Sequence, residues 1–254
     1  MSSAAPTRMC LVIPCWCETD RLDRFAERLF PALSAAALPV EVQIVDDGSP
    51  LPLAESLAHR CEQWRKQYAF VNPLHRLPVN IGKGGAIYAG WNRVVDPHIH
   101  WLGFCDADGS VDVEDLVLLL RTALSEPNPV CFCASRHVPD AQARWGSWLR
   151  KRLSRGFAAW VRFNTRLTLS DSQCGAKLIP AETYRTIRNQ LRESRFSFDP
   201  ELLLLSSKAG AEIREVPVRW TFHPNGTLRL RQDGWSMFWA VLRLPRKRNP
   251  NRVE

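Results

Sequence analysis

Between Met9 and Ser135, short apolar runs alternate with amphipathic stretches of helical period, and this alternation narrows the possible folds more than any other property of the chain. Residues 9–13 are apolar, residues 40–45 carry Val40, Val42, Ile44 and Val45, and both runs are short enough to be strands. Between them, Leu22, Phe25, Ala26, Leu29 and Leu33 recur at the three- and four-residue spacing of a helix over residues 20–37. The pattern continues with a helix over 53–67, a short run at 70–74, a glycine-rich turn at 80–85 and a helix to residue 94. A strand at 101–104, a helix over 113–125 and a strand at 130–135 follow. Strands joined through helices predict an α/β fold, a mainly parallel twisted sheet with helices on both faces, which binds ligand at the carboxyl ends of its strands.

The polar motifs fall at those ends. The run from Trp101 to Phe104 delivers Asp106 and Asp108, spaced i, i+2, so that in extended backbone both carboxylates point the same way. Two carboxylates suit a hard divalent cation such as Mg²⁺, whose shell a substrate diphosphate completes. The same Asp-x-Asp pattern also describes a solvated turn, and Asp46-Asp47-Gly48-Ser49 equally reads as a β-turn into the next helix. Gly82-Lys83-Gly84-Gly85 lacks the spacing of a P-loop.

After Ser135 the pattern changes. Residues 145–165 predict one long amphipathic helix in which Trp148, Leu149, Leu153, Phe157, Trp160 and Val161 alternate with arginines. A polar turn at 171–175, a short run at 176–179, a helix beginning near Asp199, a strand over 213–220 and an apolar-basic segment at 235–244 complete the chain. Residues 1–7 and 245–254 have the composition of disordered ends.

The net charge of +8 is segregated. Seven basic and no acidic residues lie between Ala141 and Ser170, seven basic residues face two acidic ones from Leu228 onward, and the remainder is net acidic. That distribution favours an anionic partner, a phosphate-bearing substrate, anionic lipid or nucleic acid, or else describes two solvated basic faces. No helix-turn-helix, zinc-finger or RRM signature is present, which argues against nucleic acid. The eight cysteines lie mostly in apolar runs without C-x-x-C spacing and read as buried free thiols. With no bilayer-length apolar run and no signal-peptide pattern, the expectation is a cytoplasmic protein.

Taken in order, nine motifs are familiar as a set: Ile13-Pro14-Cys15-Trp16-Cys17-Glu18, Val45-Asp46-Asp47-Gly48-Ser49, Asn80-Ile81-Gly82-Lys83-Gly84-Gly85, Asp106-Ala107-Asp108-Gly109, Ser135-Arg136, Leu153-Ser154-Arg155-Gly156-Phe157, Asp171-Ser172-Gln173-Cys174-Gly175-Ala176-Lys177, Phe198-Asp199-Pro200-Glu201-Leu202-Leu203 and Glu215-Val216-Pro217-Val218. They resemble the family 2 glycosyltransferases, within them the dolichyl-phosphate β-glucosyltransferase and dolichyl-phosphate mannose synthase branch, over residues 9–220. The resemblance implies a GT-A fold over residues 9–228, with 229–254 a basic-aromatic C-terminal segment. It further implies Mg²⁺ or Mn²⁺, a nucleotide-sugar donor (UDP-glucose or GDP-mannose) and a polyprenyl-phosphate acceptor.

Carried over by position, Pro14, Trp16, Glu18 and Asp46 lie around the nucleotide, Lys83 and Ala107 belong to the donor site, Asp108 is a metal ligand, and Asp106 binds metal or ribose. Three departures bear on this. Cys17 stands where an amide is usual, Ser110 where mannose synthases commonly carry a metal-site Gln, and Ala176 where the glucosyltransferase branch usually carries Phe. Asp-Ala-Asp-Gly and Gln173-Cys174-Gly175 lean toward the glucosyltransferase branch, so the expectation is inverting transfer of glucose. The alternatives are a GDP-mannose-dependent mannosyltransferase and a catalytically silent nucleotide-sugar-binding or membrane-adaptor protein.

Chemically, a phosphate monoester acceptor with a second pKa of about 6 is already dianionic at neutral pH and needs cations for positioning rather than a base. Arg136, Arg152, Arg155, Lys177 and Arg219 are the candidates, Arg136 and Arg219 being counted with Asp108 as catalytic; for each, a surface salt bridge is the competing reading. An acceptor with an insoluble tail places the protein at a membrane surface, peripherally on the cytoplasmic face. Residues 145–165 and 235–248 have interfacial composition, and the second, ending in Leu244-Pro245-Arg246-Lys247-Arg248, is the favoured anchor.

Overall fold

The computed structural model describes residues 8–223 and 230–244, with backbone only for 230–236. Nine strands and eight α-helices are present among them, in the order β1 (Arg8–Cys15), α1 (Thr19–Ala36), β2 (Val40–Asp46), α2 (Leu51–Gln67), β3 (His75–Arg76), α3 (Lys83–Asn92), β4 (Ile99–Cys105), α4 (Val113–Ser125), β5 (Val130–Ser135), β6 (Gln142–Arg144), α5 (Trp148–Thr165), β7 (Ala176–Pro180), α6 (Ala181–Ile187), α7 (Phe198–Lys208), β8 (Glu212–Pro217), β9 (Arg219–Thr221) and α8 (Leu230–Arg243). Seven strands form one sheet in the order β3-β2-β1-β4-β7-β5-β8. All neighbours are parallel except β7, which runs antiparallel to both β4 and β5.

Period-two alternation sorts the sheet's side chains onto two cores. Met9, Leu11 and Ile13 of β1 pack with α1, α2 and α4, whereas Cys10 and Val12 pack with α3, α6 and α7. Burial on both faces explains why the strands read as continuous apolar runs. It also outweighs intrinsic preference: α3 contains Gly84, Gly85 and Gly90, each costing about 1 kcal/mol relative to Ala in a helix. Against that, Ile87 and Trp91 of the same helix are fully buried, and each such side chain contributes about 1.5–3 kcal/mol. The glycines are there because the helix is close-packed: a Cβ on Gly84 would stand 2.5 Å from Cβ of Phe198 in α7.

Five elements differ from the sequence reading. Lys83, Gly84 and Gly85 form the first turn of α3 rather than a loop. In the run 70–74 only Val71 bridges to β2, and the edge strand lies at His75–Arg76; Pro73 within the run has no N–H for a ladder. The strand expected over 213–220 is split, β8 belonging to the large sheet and β9 to a two-stranded sheet with β6. Pro217, which lacks an N–H, marks the break.

The long helix starts at Trp148, capped by Ser147, whose Oγ accepts from the Arg150 N–H. Trp145 stays outside it, buried against Trp220. Finally, α8 does not lie free. Met237, Ala240 and Val241 are buried, and the cluster around Val241 includes Val161 of α5 and Leu203 and Leu204 of α7, so this part of the expected membrane segment packs into the protein. The expectations for residues 1–7 and for 245–254, including the Arg246-Lys247-Arg248 cluster, lie outside the described residues.

Candidate functional site

A cleft of ≈ 940 Å³ opens beyond the carboxyl ends of β4 and β5, bounded by α3, α5, the N-terminus of α7, β9 and α8. One pole is charged. Asp106 and Asp108 follow β4, and Lys83, the first residue of α3, places its Nζ 2.6 Å from Asp106 Oδ1. Burial would lower the Lys83 pKa, but Asp106 and Asp199 more than offset it and the ammonium is held above its ordinary value. Asp106 is pushed up chiefly by burial, against the pull of Lys83. The Asp108 carboxylate accepts the Ser110 backbone N–H at 2.9 Å, so the residue at the departing Ser110 position aims Asp108 through its backbone. Gly175 is required beside this pole, since a Cβ there would lie 2.2 Å from Asp106 Oδ2.

Glu18 sits close enough for Asp106 and Asp108 to act on it. Burial first, and then those two carboxylates, push its pKa up to about 7 against the opposing pull of Arg21. This concentration of carboxylate oxygens fits a hard divalent cation, which takes oxygen ligands and shares them with substrate phosphates. Among the described residues, no group of three or more His, Cys, Asp or Glu side chains is arranged to hold a metal alone.

Neighbouring strand ends form the supports. The Cys17 N–H donates to Ser49 Oγ at 3.0 Å, tying the turn after β1, with half-exposed Trp16, to the turn after β2. Pro14 precedes it within β1, and Ala107 is buried between the two aspartates. Asp46 is fully buried, accepts from the Ser49 N–H at 3.1 Å and lies 3.6 Å from Arg76 Nε, so it shapes the turn and does not line the cleft. Asp47 accepts the backbone N–H groups of Ile81 and Gly82 at 2.8 and 2.9 Å, which fixes the loop that carries Lys83.

The other pole is aromatic and basic. Trp145, Phe157, Trp160, Trp220, Phe222 and Phe238 line it together with Arg136, Arg150 and Arg152. Arg136 lies 5.0 and 5.1 Å from the ring centroids of Trp145 and Trp220. Its Nε and Nη2 donate to Asp171 at 2.6 and 2.8 Å. Burial alone would raise the Asp171 pKa, but Arg136 overrides it and holds the carboxyl well below the usual range. Glu215 supports the pair from β8, accepting the N–H groups of Ser170 and Asp171 and the Ser135 hydroxyl.

Thus the structure gathers Lys83, Asp106, Asp108, Arg136 and Arg152 around one cleft. Three acceptor candidates are placed elsewhere. Lys177 is fully buried, 2.7 Å from Asp199 and donating to the Cys174 carbonyl; its cation neutralises a cleft-lining carboxylate from behind. Arg219 points away from the cleft into Asp112, Glu114 and Asp115, all within 2.9 Å, pinning β9 to the start of α4. Arg155 is exposed on α5 and does not line the cleft.

Sequence reasoning gave no role to Asp47, Asp171, Gly175, Asp199 or Glu215. All five are acids or a glycine inside the quoted motifs, and the partners that give them their roles are far off in sequence, 35 residues for Asp171 and Arg136.

The glycosyl transferase family 2 model matches residues 10–192. Among curated proteins, the chain is 29% identical over 224 residues to a dolichyl-phosphate beta-glucosyltransferase of Trichomonas vaginalis, covering 85% of this chain and 66% of that one. It is 30% identical over 228 residues to the human dolichyl-phosphate beta-glucosyltransferase, covering 85% and 68%. It therefore spans about two thirds of the length of these relatives. Among solved structures it superposes, with a TM-score of 0.63, 14% identity and coverage of 93% and 77%, on the glucosyl-3-phosphoglycerate synthase of Mycobacterium tuberculosis in complex with Mn²⁺, UDP and glucosyl-3-phosphoglycerate. The architecture is that of the GT-A glycosyltransferases.

Proposed function

Given that the chain belongs to glycosyltransferase family 2, we propose that it moves a glucosyl group from UDP-glucose to a polyprenyl phosphate. The observation that carries this reading is the two-poled cleft: carboxylates and a lysine at one end, arginines and aromatic rings at the other. The donor's diphosphate belongs at the first pole and the acceptor's phosphate and first isoprene units at the second. The choice of glucose rests on the names of the curated relatives, which are dolichyl-phosphate beta-glucosyltransferases.

In the reaction an oxygen of the acceptor phosphate bonds to sugar C1, the bond from C1 to the β-phosphate oxygen breaks, and the nucleoside diphosphate leaves with the electron pair. Attack from the opposite face inverts C1. Asp106 and Asp108 would hold a divalent cation, Mg²⁺ or Mn²⁺, which when bound supplies charge neutralisation for the leaving diphosphate. Lys83 adds a fixed cation at the same pole, held in place by Asp106. Trp16 offers a face for the nucleotide base, and Glu18 oxygens for ribose hydroxyls or the base. Arg136, Arg150 and Arg152 position an acceptor that is already an anion, so no proton has to be removed. Asp171 keeps Arg136 in register for that task. Trp145, Phe157, Trp160 and Trp220 exclude water and cover the tail.

Residues 9–228 carry the transferase unit, and α8 contributes to it as well, because Met237 and Phe238 complete the cleft wall. Among the described residues, no helix is long and apolar enough to cross a membrane, and the reading places the protein peripherally at the cytoplasmic face. The test is to incubate purified protein, Mg²⁺ or Mn²⁺ and a polyprenyl phosphate with radiolabelled UDP-glucose, GDP-mannose or UDP-GlcNAc. Label entering the organic phase from UDP-glucose is expected. Label only from GDP-mannose makes it a mannosyltransferase, and none from any donor leaves a silent binding protein.

A further inference from the structure

In a chain whose other large side chains are mostly buried, the first half of α5 leaves Trp148, Leu149 and Leu153 at 70%, 53% and 50% exposure, and Phe163 near its end at 71%. Trp148, Arg152, Arg155 and Phe163 stand at i, i+4, i+7 and i+15, so one face of the helix carries both large rings and two guanidiniums. The helix bears Arg150, Lys151, Arg152, Arg155 and Arg162 and no acidic residue. Its inner side is occupied differently: Ala158 and Val161 are buried, and Phe157 and Trp160 line the cleft. Arg152, Leu153 and Gly156 belong to both surfaces, being exposed and also lining the cleft, and a Cβ built on Gly156 meets nothing within 4 Å. The cleft therefore reaches the surface through the wall that α5 provides.

We propose that the outward face of α5 docks on an anionic lipid bilayer, Trp148, Leu149 and Phe163 entering the interface and the basic side chains meeting lipid phosphates, so that the opening at Leu153 and Gly156 faces the bilayer. Charge complementarity selects this occupant. A helix face of exposed aromatic and aliphatic side chains, on a helix whose own charges are all cations, is repelled by a basic partner or a second copy of itself, whereas it matches an interfacial helix on anionic lipid. The placement of the opening rests on the proposed lipid-phosphate acceptor; the docking itself does not. Exposed Trp239 and Leu242 of α8 make a rival surface, and the basic composition of the sequence at 245–254 offers a rival attraction to anionic lipid.

The test is co-sedimentation of the full chain with vesicles of phosphatidylcholine, or of phosphatidylcholine and phosphatidylserine in equal parts, without any polyprenyl phosphate. The wild type is expected to pellet with the mixed vesicles and to be released by salt. Trp148→Glu with Leu149→Glu, neither of which lines the cleft, should abolish pelleting; Arg155→Ala should weaken it roughly fivefold, the factor for one charge near such a surface. The double variant should still glucosylate a short, water-dispersed prenyl phosphate while losing transfer to a long acceptor embedded in vesicles. Wild-type binding that ignores lipid charge, binding unchanged in the double variant, or binding lost on Trp239→Glu or on deletion of 245–254 but not in the double variant overturns the proposal. Absence of transfer to either acceptor, with the vesicle results as expected, would instead count against the glucosyltransferase reading alone.

Discussion

Asp108 and Gly175 carry the sharpest consequences for single residues. Asp108 serves the charged pole, and among the described residues its carboxylate accepts the backbone N–H of nearby Ser110, so Asp108→Asn should leave thermal stability nearly unchanged while transfer falls by roughly 10²–10³ or more, the scale for losing one charge-stabilising group. Rates from the organic-phase label, beside a melting curve, check this. Gly175→Ala acts through geometry: its Cβ would lie 2.2 Å from Asp106 Oδ2. Displacing that carboxylate by an ångström should cost about 10²-fold in turnover, for about 1–3 kcal/mol of stability. A variant with wild-type turnover would show that the position of Asp106 does not matter. Legibility at this scale follows from locality. Asp106 and Asp108 were readable because an apolar strand delivers them at its carboxyl end, although they lie in the turn after β4 and not in the extended backbone that the i, i+2 spacing suggested. Lys177 and Arg219 were misplaced because nothing near them in sequence announces the acids at Asp199 or Asp112–Asp115 that capture them.

Among elements, the pairing of Arg136 after β5 with Asp171 before β7 is the main cross-link beside the cleft. Side-chain exposures of 11% and 2% make it a nearly buried ion pair, and removing one partner of such a pair costs about 3–5 kcal/mol. Asp171→Asn should therefore lower unfolding free energy by that order at pH 7, measured in urea. Because the folded-state pKa of Asp171 is depressed by Arg136, the stabilisation is present above the ordinary carboxylate value of about 3.9. It is lost as pH falls through the folded value. The gap between wild type and variant should thus be full at pH 7 and shrink in acid; a gap that widens in acid would mean the wrong sign for the pair. Most strands and helices up to β5 were legible because two-faced burial writes itself as apolar runs; the exceptions are the two-residue edge strand β3 and the glycine-rich first turn of α3. The division of β8 from β9 was not, since an unbroken run over 213–220 hides a ladder that stops at Pro217. The antiparallel course of β7 was equally invisible, as the direction of a strand leaves no mark on its composition.

In the whole molecule, a GT-A sheet, a charged pole at the ends of its strands and an apolar path walled by α5, β9 and α8 come together. The joining was the least legible part. Trp145, Trp220 and Phe238 are far apart in sequence and only the fold makes them one surface. The path is meaningful only if a hydrocarbon tail fills it, and each buried CH₂ group of such a tail is worth about 0.8 kcal/mol. The decisive measurement is kcat/KM for glucose transfer to acceptor phosphates of increasing prenyl length, all dispersed in the same detergent. The expected result is a rise of at least about tenfold per unit over the first isoprene units, and then a plateau once the cleft is full. Equal efficiency with a tail-free phosphate monoester would contradict it.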